Sequence, residues 1–161
     1  MSMTAGLLAL SEEQAAQLCS KPKTIPEFIF RQTMQGSDSY ADLYKNWHGL
    51  HFLLTESNWH GEEPFKSVIL GGDEIGPDVG YGPARILSPE KVKEIYEALN
   101  NVDKEVLRAR FDKDKMYDME IYASSHWDEE SLVELLEVFE IVRRFYKSAA
   151  EEGKSVLQFL Q

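Results

Sequence analysis

Hydrophobic and polar residues follow patterns along this chain that predict an α+β fold with a strand at each end. Residues 6–10 form a short apolar run typical of a strand, and residues 155–160 form another. Between them, a long helix from Asp128 to about Glu152 is predicted by apolar residues that recur at helical spacing, namely Leu132, Leu135, Leu136, Phe139, Val142, Tyr146 and Ala149. Unequal helical stretches between strands favour a single α+β domain over residues 1–161 rather than a regular α/β repeat.

Capping residues mark the starts of the shorter helices. Ser11 with Gln14 has the spacing of a capping box and predicts a helix over residues 12–20. Ser88 followed by Pro89 predicts a second helix start, and Asp103 can cap a third helix. Residues 26–34 are compatible with a short helix or, at residues 28–30, with a strand.

The middle of the chain carries a predicted helix from about Ser39 to Thr55. One apolar stripe runs along it, and a second stripe beside it holds Tyr44, His48, His51 and Thr55; the apolar stripe is Leu43, Trp47, Leu50 and Leu54. Gly49 lies inside this helix, where a glycine often marks close packing of another segment. We expect that segment to be the glycine-rich stretch described next.

Residues 71–85 hold five of the ten glycines of the chain and separate two apolar runs, 67–70 and 84–87, that we interpret as strands. A loop of this kind between two strands is a common location for functional residues. We therefore expect the loop and the tryptophan–histidine helix to shape one functional surface together.

Composition narrows the classes of function. Hydrophobic residues make up 43% and charged residues 28% of the chain, as in soluble globular proteins, and the net charge is −11. This charge repels phosphate backbones, so we expect no nucleic-acid partner, and it permits a basic protein partner. Cys19 is the one cysteine, and no signal peptide or membrane span is apparent, so the sequence predicts a soluble cytoplasmic protein that does not contact membranes.

Three motifs follow one another in the chain, namely the segments Trp47–Thr55, Leu70–Gly76 and Gly80–Arg85. Together they resemble the YfbM-like family of bacterial proteins, and the end of the chain from Phe145 onward is similar as well. The resemblance covers residues 7–160. It implies a single bacterial α+β domain of unknown function, and it carries over no catalytic residue and no cofactor.

Each chemical candidate has a structural alternative. His48 and His51, three residues apart on one helical face, can supply two metal ligands, but nothing in the sequence identifies a third, and both imidazoles can equally hydrogen-bond to nearby backbone. We therefore predict no metal site. Asp73 and Glu74 beside Arg85 suit acid–base chemistry, but we favour an ion pair in which Arg85 holds the loop ends together.

Two functions remain open. The first is a non-catalytic protein that binds a basic partner, for example as an immunity-like protein. The second is a small enzyme or ligand-binding domain with a pocket between the His48/His51 face and the loop from Gly71 to Arg85. We favour the first because of the net charge of −11, the aromatic residues near the loop and the absence of a catalytic signature. No cofactor is predicted, and enzymatic activity and the oligomeric state stay open. The candidate binding residues are Trp47, His48, His51, Asp73, Glu74, Tyr81 and Arg85.

Overall fold

The computed structural model describes residues 2–123 and 126–161, and these form an antiparallel sheet covered by helices on both faces. The strands are β1 Ala5–Leu10, β2 Tyr40–Tyr44, β3 Asp73–Asp78, β4 Pro83–Leu87 and β5 Ser155–Leu160. Within the described residues their order across the sheet is β2-β1-β5-β4-β3. The two terminal strands are thus direct neighbours, paired from Ala5 opposite Leu160 to Leu10 opposite Ser155, which confirms the predicted strands at the chain ends.

The helices occupy the connections between the strands. They are α1 Glu12–Ser20, α2 Ile25–Gln35, α3 Trp47–Thr55, α4 Pro89–Asn100, α5 Lys104–Arg110, α6 Lys113–Asp118 and α7 Glu129–Glu151, with short 3₁₀ turns at Pro22–Thr24 and Phe65–Val68. The long C-terminal helix and the α+β class are therefore confirmed. Residues 26–34, open between helix and strand in the sequence, belong to α2.

The predicted helix caps are present. The Ser11 hydroxyl accepts a hydrogen bond from the Gln14 amide at 3.1 Å, and the Gln14 side chain accepts one from the Ser11 amide at 2.9 Å. Ser88 accepts from the Lys91 amide at 3.2 Å. These contacts satisfy N–H groups that have no partner inside a helix, so local sequence alone sets where α1 and α4 begin.

The sheet separates two hydrophobic cores of unequal size. The larger core lies between the sheet and helices α3, α4, α5, α6 and α7, and includes Trp47, Phe139 and Tyr146. The smaller core lies between the sheet and helices α1 and α2, and includes Leu18 and Ile29. Since α3 carries buried residues from Trp47 to Leu54, it is an interior helix of the larger core.

Two predicted elements are wrong. The predicted helix from Ser39 is a strand over its first part, because Ala41 and Leu43 alternate into the larger core as β2 pairs with β1. The chain turns after Tyr44, which has a φ of 48°, and the helix begins only at Trp47. The run 67–70 is buried but lies at a 3₁₀ turn, since a short apolar run does not distinguish a buried strand from a buried helical turn.

The glycine-rich stretch is a β-hairpin rather than a loop between strands. β3 and β4 pair with Glu74 opposite Arg85, and the Asp78 carboxylate accepts hydrogen bonds from the Gly80 and Gly82 amides at 2.6 and 3.3 Å. Asp78 therefore closes the turn from within.

Gly49 packs against a different segment from the one predicted. A Cβ atom on Gly49 meets Leu135 Cδ2 of α7 at 2.8 Å and the Trp127 ring at 3.0 Å. The glycines of the hairpin have other neighbours: Gly76 approaches the Pro22 carbonyl, and Gly80 approaches Gln161. The prediction that the hairpin lies against the tryptophan–histidine helix is wrong, because Gly49 makes room for α7.

A buried polar network fastens the segment before the hairpin to the sheet. The Gln158 amide donates to the carbonyls of Ser67 and Val68 at 2.7 and 2.8 Å and accepts from the Gly71 amide at 3.0 Å. The Tyr146 hydroxyl donates to the same Val68 carbonyl at 2.6 Å. Every member is satisfied internally, and burial raises the pKa of the Tyr146 hydroxyl above its ordinary value, so this network is structural.

Candidate functional site

Helix α3 buries both of its histidines, together with Trp47. The solvent-exposed fraction of His48 and of His51 is 0%. A buried imidazole must find hydrogen-bond partners, because an unpaired polar group costs free energy in the interior. The partners it finds show what the two residues do.

His48 is held at both ring nitrogens. Its Nδ1 accepts from the Tyr122 backbone amide at 2.8 Å, so the proton of the neutral ring is on Nε2, which donates to the Asn58 carbonyl at 2.9 Å. Burial lowers the pKa of His48, although the bond to Asn58 opposes this. The ring is therefore neutral and joins α3 to two loops at once.

His51 makes the equivalent contact one helical turn later. Its Nε2 lies 2.8 Å from the His60 carbonyl, which can only accept, so Nε2 again carries the proton. Among the described residues its Nδ1 has no partner. Burial lowers the pKa of His51 to about 4, and the bond to His60 opposes the shift.

The two histidines bracket a single surface residue. The carbonyls that they bind belong to Asn58 and His60, on either side of Trp59. The Thr55 hydroxyl supports the same turn, since it accepts from the Ser57 amide at 3.2 Å. The loop after α3 is thus fixed from inside at the two positions that flank Trp59.

Trp59 caps a stack of aromatic rings that continues into the core. Its indole lies 4.7 Å from the His48 ring and 5.8 Å from the Trp47 ring, centroid to centroid, and Tyr122 lies 6.0 Å from Trp47. Trp47 also donates through its indole nitrogen to the Met3 carbonyl at 3.1 Å. Trp59 nevertheless keeps 47% of its surface exposed, so the stack ends in an accessible ring.

The two segments that meet at Trp59 are acidic. The Asn58 side chain reaches the Met119 carbonyl at 3.5 Å, which brings residues 56–63 beside residues 116–122. These segments contain no Lys or Arg and five carboxylates, Glu56, Glu62, Glu63, Asp118 and Glu120. Arg110 pairs with Glu56 at 3.8 Å and Lys91 with Glu63 at 2.9 Å.

The remaining three carboxylates, those of Glu62, Asp118 and Glu120, are exposed and form no ion pair with another described residue. We call the group formed by Asn58, Trp59, Glu62, Asp118 and Glu120 the Trp59 surface. It combines a fixed, half-exposed indole with uncompensated negative charge.

The structure divides the predicted candidate residues into two sets. Trp47, His48 and His51 are inside the protein and inaccessible, whereas Asp73, Glu74 and Tyr81 are exposed on the hairpin and Arg85 is half-buried. Glu74 and Arg85 are brought together across β3 and β4; the α3 residues do not join them on an open surface.

The predicted ion pair of Arg85 is also absent from the described residues. Arg85 Nη2 donates instead to the Ile69 carbonyl at 3.3 Å. Burial lowers the pKa of the guanidinium, and the charge of Glu74 opposes the shift without a direct contact. Arg85 thus helps to anchor the segment that leads into β3.

Metal binding has no support in the geometry of the histidines. Each Nε2 donates to a backbone carbonyl, and Nδ1 of His48 accepts from Tyr122. Over residues 2–123 and 126–161, no group of three or more His, Cys, Asp or Glu side chains is arranged to hold a metal ion.

Within these same ranges, none of the helices has the length and apolar character needed to cross a bilayer.

Trp59 and Asn58 are absent from the residues predicted as a site. The sequence shows two histidines on one helical face and, shortly after, a tryptophan in an irregular acidic stretch. It does not show that the imidazoles bind the carbonyls on either side of that tryptophan. That is a tertiary property.

The fold defines a single-domain α+β protein. The chain belongs to the family described as Domain of unknown function (DUF1877), whose model matches residues 1–159. A crystal structure of YfbM, a protein of unknown function from Escherichia coli, is similar to it with a TM-score of 0.77 and 20% sequence identity, covering 98% of this chain and 99% of that one. At this identity the similarity shows the fold alone. Among the curated proteins no match to the chain is found.

Proposed function

We propose that this protein is a non-catalytic interaction domain that binds a basic protein partner through the Trp59 surface. The observation that carries the proposal is the bracket of His48 and His51 around Trp59. Two buried imidazoles donate to the carbonyls before and after one residue, and that residue presents a large ring to solvent.

Preorganisation makes this arrangement suitable for binding. Association costs free energy when side chains and loops must be ordered at an interface. Here the loop is already fixed by hydrogen bonds from the core, and the indole rests on the His48 ring. Tryptophan is enriched among the residues that dominate binding energy in protein interfaces, which fits its role as an anchor.

The charge supports a basic partner. The chain has a net charge of −11, and Glu62, Asp118 and Glu120 are uncompensated beside the exposed ring. Opposite charge on the partner accelerates encounter and makes association sensitive to salt. Neutralisation of a basic toxin, the role of an immunity protein, is one form that such binding can take, and a cytoplasmic location remains a prediction.

The alternative of a ligand pocket between the His48/His51 face and the hairpin loses its supporting geometry. Both imidazoles are buried and bonded to backbone, and Gly49 of the same helix packs against α7.

A capture experiment with matched variants tests the proposal. The purified protein, Trp59→Ala and Phe30→Ala serve as baits in a lysate of the native host, and bound proteins are quantified by mass spectrometry at low and high salt. Phe30 is the control, since it is an exposed aromatic residue on α2. Any protein retained is then purified and its affinity measured for each variant.

We expect a basic protein to bind the wild type and Phe30→Ala equally at low salt. Trp59→Ala should weaken binding about 30-fold or more, as removal of an interface hot spot does. If no protein is retained, or if Trp59→Ala retains it as well as the control, the proposal is wrong. Circular dichroism of each bait confirms that the variants are folded.

A further inference from the structure

We propose that the group recognised by the Trp59 surface is an arginine side chain of the partner, with its guanidinium stacked on the open face of Trp59 and its N–H groups bound to carboxylates of Glu62, Asp118 and Glu120. This inference rests on the proposed function and names the chemistry of the partner. It follows from the ring, the charge around it and the rigidity of both.

The ring offers a binding face. One side of the Trp59 indole is occupied by the His48 ring at 4.7 Å and, further in, by Trp47 at 5.8 Å. Trp59 keeps 47% of its surface exposed, so part of the ring remains open to solvent. The face of an indole carries negative electrostatic potential and attracts a cation placed over it, more strongly than the face of tyrosine or phenylalanine.

The carboxylates exclude other occupants. An acidic side chain is repelled by the three uncompensated charges, and an apolar side chain leaves them without a partner while reducing their contact with water. A cation meets both requirements, since it stacks on the ring and compensates the carboxylates. Charge complementarity therefore selects a basic side chain.

Arginine suits this surface better than lysine. Within the aromatic stack Trp59 is the exposed ring, because Trp47 is buried and Tyr122 is partly buried, with its hydroxyl accepting from the Met3 amide at 2.8 Å. A flat guanidinium covers a single ring face and still directs several N–H groups sideways toward carboxylates. A lysine ammonium is more strongly hydrated and gains most from an enclosing cage of rings.

Rigidity makes the choice specific. The Asn58 and His60 carbonyls are held by His48 and His51, and Asn58 contacts the Met119 carbonyl between Asp118 and Glu120. The ring and two of the acids are thus tied to one another through the backbone. The backbone that carries them is therefore ordered before a partner binds.

Three peptides test the inference. Each is an N-acetylated, C-amidated heptapeptide of glycine and serine with two positions occupied by arginine, by lysine or by uncharged citrulline. Binding is followed by ¹⁵N-resolved NMR of the full chain, in which the indole N–H signals of Trp47, Trp59 and Trp127 are assigned with single tryptophan-to-phenylalanine variants. Glu120→Gln is compared with Glu137→Gln, which alters an exposed acid on α7.

We expect the arginine peptide to shift the Trp59 indole signal with an affinity at least fivefold higher than the lysine peptide and to lose affinity with added salt. Citrulline should give no saturable shift. Glu120→Gln should weaken arginine binding at least twofold, and Glu137→Gln should leave it unchanged.

Equal binding of citrulline and arginine, or arginine shifts centred elsewhere on the chain, would overturn the inference. If the captured protein depends on Trp59 but the arginine peptide does not bind there, the interaction function stands and the arginine assignment fails. If no protein is captured at all, the proposed function itself fails.

Discussion

Large apolar side chains are exposed both on the outer face of α2 and in the loop after α3, and these two regions differ in how the side chains are held. On the outer face of α2, Phe30 and Met34 are 66% and 72% exposed, more than Trp59 at 47%. The α2 pair projects from a helix beside an exposed ion pair between Arg31 and Glu27, and no ring contact involves Phe30 within the described ranges. Trp59 instead rests on a buried aromatic stack and is bracketed by hydrogen bonds from the core.

Exposure alone therefore does not identify a binding surface. Single exposed apolar residues are common on soluble proteins and require no explanation. A loop that uses two buried histidines to present one residue has a cost, because those imidazoles must be desolvated. The Trp59 surface therefore differs from α2 in the buried imidazoles that support it. Four measurements test this difference.

The largest effect is expected from His48→Phe. Phenylalanine fills the same space but leaves the Asn58 carbonyl and the Tyr122 amide without their partner, at about 1–3 kcal/mol each. We expect a loss of about 4 kcal/mol in the free energy of unfolding, measured by urea denaturation. Met34→Ala is the control, with an expected change within about 0.5 kcal/mol. A loss below about 1 kcal/mol for His48→Phe would show that the loop does not depend on this residue.

The next effect is a loss of stability as pH falls from 7 to 5. The pKa of His51 is lowered to about 4 in the folded protein, and that of His48 is lowered as well, whereas unfolded histidine titrates near 6.5. The unfolded state therefore binds more protons in this window, so stability decreases as pH decreases. We expect about 2 kcal/mol from His51 alone, with His48 adding to it. A flat profile from pH 7 to 5 would contradict burial of neutral imidazoles.

His51→Phe should have a smaller effect at pH 7 than His48→Phe. It removes one hydrogen bond rather than two, and the carbonyl that it leaves belongs to the exposed residue His60, where water can replace the donor. We expect a loss of about 1–2 kcal/mol at pH 7. The same variant should also flatten the pH profile between 7 and 5, and an unchanged slope would assign the titration to other groups.

The smallest effect concerns the charge around the exposed ring and leaves stability unaffected. Trp47 and Trp127 are buried, so Trp59 supplies the quenchable fluorescence among the three tryptophans. Because Glu62, Asp118 and Glu120 belong to the two segments that meet at Trp59, caesium ions should quench it more effectively than iodide at low ionic strength, relative to free tryptophan. Trp59→Phe serves as the control and should abolish the quenching by either ion. Stronger quenching by iodide would contradict the negative potential.

Much of the fold could be predicted from the sequence because it is encoded locally. The capping box of Ser11 and Gln14, the Ser88–Pro89 start and the apolar stripe of α7 depend on residues a few positions apart, and all are present. The boundary between strand and helix in the segment from Ser39 to Thr55 could not be predicted, because Leu43 fits both the alternation of a strand and the apolar stripe of the helix that follows. Pairing with β1, a contact distant in sequence, decides it.

Residue patterns along the chain are sufficient to predict a single acidic α+β domain in which two histidines share one face of a helix. Long-range packing is needed to show that this face points inward, that Gly49 contacts α7 rather than the hairpin, and that the imidazoles bind the carbonyls on either side of Trp59. The physical reason is that hydrogen-bond partners of buried polar groups are chosen by three-dimensional proximity. Spacing along a helix shows which side chains act together, whereas the packing around them decides what they hold.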